Sequence, residues 1–221
     1  MAAPAGNVVI RVAYFANLTH SQVLIGLARG DFQRARGPNV TIQTAVFNAG
    51  PSVIEALFAN QIDLAYIGPN PAINGYVQSK GAALRIVAGA TSGGAALVVR
   101  PGANIKTAAD LAGKRIASPQ LGNTQDVALR NYIIANGLQT KEQGGTVEVI
   151  PTDNTLILDL FKLGQIDGAW EPEPWASRLI VEAGGQLLVD ERTLWTATHG
   201  DFVTAHIIVS TQFLKDHPDV V

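Results

Sequence analysis

Leu156–Leu179, LILDLFKLGQIDGAWEPEPWASRL, is the stretch whose reading decides the fold. Leu156, Leu158, Leu160, Phe161 and Leu163 recur at helical spacing, and Gly164 stops the helix. Ile166–Trp170 then reads as a short buried strand, and a Pro-rich turn follows that sets Glu171 and Glu173 beside Pro172 and Pro174. The same plan stands earlier, at Val53–Tyr76, VIEALFANQIDLAYIGPNPAINGY. There an amphipathic run ends in Leu57-Phe58, Gln61-Ile62-Asp63 answers Gln165-Ile166-Asp167, and a strand to Ile67 opens into Pro69-Asn70-Pro71. Two copies are too few for a solenoid, which needs about three. They suit two similar lobes facing each other across a cleft.

Working outward, strands are expected at Val8–Phe15, Val40–Phe47, Asp63–Ile67, Leu84–Ala90 and Ala95–Arg100. Helices are expected from Ser21 through Phe32, from Val53, and over Ala72–Ser79. From Thr107 the pattern restarts, with strands at Lys114–Ala117, Thr146–Ile150, Gln186–Val189 and within Asp201–Ser210, and a helix over Gln125–Asn136. This βαβα rhythm predicts an α/β protein with mostly parallel sheet and helices on both faces. Ligands of such sheets sit outside the carboxyl ends of the strands. The expected division is a first lobe of residues 1–95 plus 205–221 and a second of 96–204. The chain crosses between them twice, which makes a hinge.

Composition narrows the function. Hydrophobic residues make up 47% and charged residues 15%, which supports real cores and argues against disorder. A net charge of -2, with no basic run or basic helix face, excludes a nucleic-acid binder. The absence of cysteine removes disulfides, thiolate zinc sites and cysteine nucleophiles. MAAPAGNVVI lacks the charged start and apolar core of a secretory signal, so the protein is either cytoplasmic or its signal has been removed. The long uncharged run Ile86–Val99 is interrupted by Gly, Ser and Thr, and no transmembrane segment of the chain's own is expected.

The candidate site lies in the loops that follow strands. Helix starts hold oxyanions through backbone N–H groups and the helix dipole. Gly50-Pro51-Ser52, after Asn48, is one such turn; Gly68-Pro69-Asn70 and Gly122-Asn123-Thr124 are two more, each equally readable as an ordinary capped helix start. Asn17, Thr19 and His20 occupy the first such loop, Ser92 the crossing, and Asp153 the entry to the Leu156 helix. Trp170 reads as core and Trp175 as a cleft wall. Glu171 and Glu173 look like a pair for acid–base work, but no G-x-S-x-G, clustered His or partnered nucleophile accompanies them, so no enzyme is expected. As ligand contacts they repel an anion unless it carries an ammonium or binds with a cation; otherwise they cap turns or pair with Arg178. The four histidines, at 20, 199, 206 and 217, show no zinc spacing, and neither metal nor cofactor is predicted.

AYFANLTHSQVLIGLARGDF, FNAGPSVIEALFANQIDLAYIGPNPAINGY, PQLGNTQDVALR and IDGAWEPEPWASRLIVEAGG together resemble the periplasmic substrate-binding proteins of sulfonate, nitrate and taurine ABC importers. Within that family the motifs look most like the aliphatic-sulfonate branch, and the resemblance runs from about Val9 to Asp219. It implies a periplasmic-binding-protein-like fold whose two α/β lobes close over a small anionic ligand and hand it to an ABC permease in the membrane. The implied location is the periplasm or, through a lipid anchor, the extracellular face. Such proteins usually continue with further helices past the one that here stops at Val221, so the resemblance also implies missing C-terminal helices. Alternatives on the same fold are menaquinone-pathway enzymes, pyrimidine-precursor enzymes, whose Cys-rich motif is absent, and a ligand sensor.

Overall fold

A computed structural model describes residues 7–221, so residues 1–6 of the expected first lobe lie outside the described residues. Two compact units emerge. The first comprises Ala16 and the described residues before it, His20–Thr91 and Ala205–Val221; the second comprises Asn17–Thr19 and Ser92–Thr204.

In the first unit the elements are β1 (Val8–Phe15), α1 (Ser21–Arg29), α2 (Asp31–Arg36), β2 (Val40–Phe47), α3 (Gly50–Phe58), β3 (Leu64–Ile67), α4 (Pro69–Gln78), β4 (Leu84–Ser92), β10 (Val203–Ser210) and α8 (Thr211–Asp216). The strands form one sheet in the order β2-β1-β3-β10-β4. β1 runs parallel to β2, from Val8 opposite Val40 to Phe15 opposite Phe47, and parallel to β3; β10 lies antiparallel to β3. Alternation along β1 sends Ala13 and Phe15 into a core with Val53, Ile54 and Leu57 of α3 and Ala72 of α4. Ile10 and Val12 go to the other face, with Val23 of α1, Tyr66, Phe213 and Val220. The single helix expected from Ser21 through Phe32 is two. Gly30 takes a left-handed φ of 69°, which ends α1, and Phe32 folds back so closely on Gly26 that a side chain there would overlap its ring.

The second unit contains β5 (Ala95–Val99), β6 (Arg115–Ser118), α5 (Thr124–Ala135), β7 (Glu148–Pro151), α6 (Asn154–Lys162), β8 (Gly168–Pro172), α7 (Trp175–Ala183) and β9 (Gln186–Asp190). Its sheet order is β7-β6-β8-β5-β9. β6 is parallel to β7 and β8, whereas β5 is antiparallel to β8 and β9, so both sheets are mixed. Along β8 the side chains alternate: Trp170 joins Ile116 and the α5 residues Leu129 and Ile133, while Ala169 joins Ala117, Phe161 of α6 and Leu179 of α7.

The Leu156–Leu179 stretch needs two corrections. Its buried helical face is Ile157, Leu158 and Phe161, whereas Leu156 is 46% exposed and Leu163 71%. The strand runs over Gly168–Pro172 and not Ile166–Trp170, because pairing with β5 continues to Pro172 opposite Ala95. Ile166 is buried just ahead of the strand.

Each Gln-Ile-Asp copy is locked by an arginine on the neighbouring strand. The Asp63 carboxylate accepts the Arg11 backbone N–H at 2.8 Å, its Nε at 2.9 Å and its Nη2 at 2.6 Å, and Asp63 N donates to Arg11 O. In the second unit Asp167 accepts the same three groups of Arg115, at 2.9, 3.3 and 3.2 Å, and its N donates to Arg115 O. Each guanidinium also bonds a carbonyl of the turn before the Asp, Asn60 in one unit and Gly164 in the other. The repeated motif is a clasp that joins the first strand of each parallel trio to the turn entering the third.

That arrangement places a crevice in each unit. β1 is followed by α1 on one face of its sheet, while its neighbour β3 is followed by α4 on the other. β6 and its neighbour β8 are followed by α5 and α7 on opposite faces in the same way. Where adjacent strands send their chains to opposite faces, the loops at the carboxyl ends part and leave room for a ligand.

Candidate functional site

In the second unit, the loop from β6 to α5 is closed by its own hydrogen bonds. Asp126, buried in the first turn of α5, accepts from Ser118 Oγ at 2.8 Å, Gly122 N at 2.9 Å and Arg130 Nε at 3.0 Å. Asn123 caps the helix, its Oδ1 accepting from Asp126 N at 2.7 Å, and its own N–H goes to Gln120 O. Three backbone N–H groups of this turn, those of Gly122, Asn123 and Asp126, are therefore committed within it. The Thr124 hydroxyl is different. It is buried at the first helical position and has no hydrogen-bond partner.

Glu171 shares this situation at the end of β8. Its side chain is fully buried and neither carboxyl oxygen is hydrogen-bonded. Burial holds its carboxyl well above the ordinary carboxylate range, because nothing offsets the loss of water around the charged form. The register that sets Ala117 opposite Ala169 brings Glu171, two residues on, level with the chain leaving β6 for the Gly122-Asn123-Thr124 turn. Burying a polar group without a partner costs about 1–3 kcal/mol, so two such groups at one sheet edge mark a place built for something besides packing.

Other predicted residues of this unit have partners within it. Glu173 does not pair with Arg178, which binds Glu182 at 2.6 Å; it accepts from Ser177 N at 3.1 Å and Ser177 Oγ at 2.9 Å. Trp175 Nε1 donates to Asn17 Oδ1 at 3.0 Å, Leu18 N donates to Glu173 O, and the Arg178 guanidinium lies 4.7 Å from the Trp175 ring centre. Residues 17–19 are thus tied to the start of α7, with Thr19 buried against Gly94. Ser92 Oγ accepts from Phe202 N. Asp153 is exposed ahead of α6, and its carboxylate makes no capping bond.

In the first unit the predicted loops also follow strands. His20, after β1, accepts the Phe15 N–H at Nδ1 and stacks on the Phe15 ring with centres 4.4 Å apart. Burial lowers its pKa to about 3, so it is a neutral imidazole with its proton on Nε2 and not a cationic anchor. Asn48 and Ser52 are half-buried around the β2–α3 turn. Gly50 and Pro51 open α3, and the space beside Gly50 is taken by the Pro71 ring. Gly68 precedes α4, with Pro69 and Asn70 in its first turn. His206, which the sequence offered only as a lone histidine without metal spacing, stands opposite Ile67 at this same sheet edge, buried, with Nε2 unpartnered. Its position inside the apolar strand VTAHIIVS was the one signal available. Among the described residues, no group of three or more His, Asp or Glu side chains is placed to hold a metal ion, and no helix is long and apolar enough to cross a membrane.

Comparison with known proteins sets this geometry in a family. The chain is 27% identical over 217 residues to the taurine-binding periplasmic protein of Escherichia coli (strain K12), covering 96% of this chain and 62% of that one. It therefore spans less than two thirds of that relative's length. The fold matches the alkanesulfonate-binding protein SsuA from Xanthomonas axonopodis pv. citri, solved bound to MOPS, with a TM-score of 0.78 at 24% identity over 100% of this chain and 70% of that one. It also matches the periplasmic nitrate-binding protein NrtA from Synechocystis PCC 6803, with a TM-score of 0.77 at 16% identity over 99% of this chain and 59% of that one. The sequence profile of the NMT1-like family matches residues 3–221, and the chain belongs to that family.

Proposed function

We propose that this chain is the solute-binding component of an ABC importer. It captures a small anion of the sulfonate, taurine or nitrate class at the periplasmic or extracellular face and delivers it to a membrane permease. The observation that carries the reading is the pair of buried, unpartnered groups, Thr124 Oγ1 and Glu171, at the crevice between β6 and β8. Buried polar groups in folded proteins nearly all find a hydrogen-bond partner, so two unpartnered groups at one crevice favour a bound partner there. The names of the taurine-binding relative and of the two structural neighbours support the ligand class. The site binds and releases without turnover, since none of its groups forms a nucleophile–base pair. Native mass spectrometry of the purified chain tests the reading: a co-purified sulfonate-sized mass, or one acquired on adding taurine and recovered unchanged, is expected. A time-dependent product, or no uptake from a panel of sulfonates and nitrate, contradicts it.

A further inference from the structure

Glu171 raises a difficulty that its setting resolves. A carboxylate repels an anion, yet this carboxyl sits at the anion crevice. Aligning the two Gln-Ile-Asp copies places Glu171 where the first unit has Ile67. Ile67 is fully buried in its core, and Glu171 is equally buried at the corresponding point. The repeat thus shows that a hydrocarbon side chain satisfies this position structurally, and the second unit has a carboxyl there instead.

Among the described residues of the second unit, no cation is paired with it; Arg192, beyond β9, lies against Gly93. On β6 the titratable group is Arg115, at the opposite end of the strand and bound to Asp167. From α5, Asp126 and Arg130 are bound to each other; from α7, Arg178 is bound to Glu182, and Glu173 is held by Ser177. On α6, Lys162 also reaches Glu182, and Asp153 and Asp159 are exposed. Beyond β5, which contributes Ala96 opposite Glu171 and no charge, Glu191 accepts from Trp170 Nε1. A charge buried this completely without a counter-ion is far costlier than a neutral acid.

We infer that Glu171 meets the ligand as a neutral carboxylic acid, donating its O–H to an oxygen of the anionic group beside the Thr124 hydroxyl. This deepens the solute-binding reading and rests on it. A neutral acid contributes a donor without bringing repulsion, and burial without a counter-ion raises its pKa well above the ordinary carboxylate range, which favours the protonated form. The anion's affinity then falls as pH rises through that pKa, because the ionised group can no longer donate.

The test uses ethanesulfonate and taurine, which share an anionic group and differ by an ammonium, against the wild type, E171Q and E171A. Glutamine keeps a neutral donor of the same length. E171Q should hold ethanesulfonate within about three-fold of wild type and lose the high-pH fall, while E171A should weaken it about ten-fold or more. In the empty protein, infrared spectra at neutral pH should show a carboxylic-acid C=O band that E171Q lacks. Three results overturn the inference: E171Q failing as badly as E171A, E171A binding as well as wild type, or taurine strongly preferred over ethanesulfonate with one proton released on binding. The last would make Glu171 an ionised site for the ammonium. A wild type that binds neither sulfonate overturns the functional reading, and this inference falls with it. A folded wild type that shows no carboxylic-acid band at neutral pH also overturns the inference, and that readout does not depend on any variant folding.

Discussion

The two units share a clasp and differ at the edge that the clasp supports. Arg11 with Asp63 and Arg115 with Asp167 make the same five-part connection, guanidinium, backbone and turn carbonyl included. Beyond it the copies part: Tyr66-Ile67-Gly68-Pro69 in one answers Trp170-Glu171-Pro172-Glu173 in the other. In the first unit the aligned position is apolar and packed, the space beside Gly50 is filled by Pro71, and His20 has one nitrogen committed to Phe15. In the second, a carboxyl and a hydroxyl are buried with nothing to bond, where the first has His206 Nε2. The difference teaches that the repeated residues carry scaffold, and that chemistry collects where the repeat breaks.

Breaking the shared part should have the largest effect. Asp63→Ala removes a nearly buried acceptor of three Arg11 groups and should cost about 3 kcal/mol of stability in urea unfolding. Asp167→Ala, which removes a carboxylate more exposed than Asp63 (14% against 6%), should cost about 2 kcal/mol. Near-zero costs at both would mean that the motif repeats for some reason other than the clasp.

Erasing the difference should have a smaller effect of opposite sign. Glu171→Ile makes the second unit resemble the first and removes a buried polar group without a partner. A gain of about 1–3 kcal/mol is expected, together with loss of anion binding. A destabilised variant would show that the carboxyl supports the fold and that the comparison with Ile67 misleads.

The smallest effect is in the acid limb. Burial alone raises the Asp167 carboxyl, but hydrogen bonds from the Arg115 side chain and backbone outweigh it and hold the pKa below its ordinary 3.8. A group depressed on folding stabilises the native state above its unfolded pKa and loses that contribution as pH falls through the folded one. Melting temperature should therefore drop on acidification below about pH 4, and Asp167→Asn should flatten that part of the curve. An unchanged acid limb would remove Asp167 from the account.

Much of the architecture was legible because apolar period reports secondary structure directly. Val40–Phe47 is a strand over the residues its alternation predicts, and the Gln-Ile-Asp echo marks corresponding turns in the two sheets. The site was legible only as a set of loops. Sequence shows that Asn123 and Thr124 both suit a helix start, but not that Asn123 takes the cap and leaves Thr124 unpartnered. It shows Glu171 and Glu173 as a pair, whereas one is spent on Ser177 and the other on nothing. Nor does it show that Arg11 and Arg115 reach across strands, or that β10 brings His206 opposite Ile67. Hydrogen bonds between distant segments decide these roles, and periodicity does not record them.

Thr124 offers the most direct test of anion binding at the second unit's crevice. Calorimetric titrations of taurine and ethanesulfonate into wild type, Thr124→Ala and Asn123→Ala, with thermal melts of all three, separate ligand contact from helix cap. Thr124→Ala should weaken binding by about 1–3 kcal/mol without lowering the melting temperature. Asn123→Ala should cost about 1 kcal/mol of stability and change affinity little. If Thr124→Ala binds both sulfonates as the wild type does while its melting temperature falls, the hydroxyl is structural and the anion does not sit at this crevice.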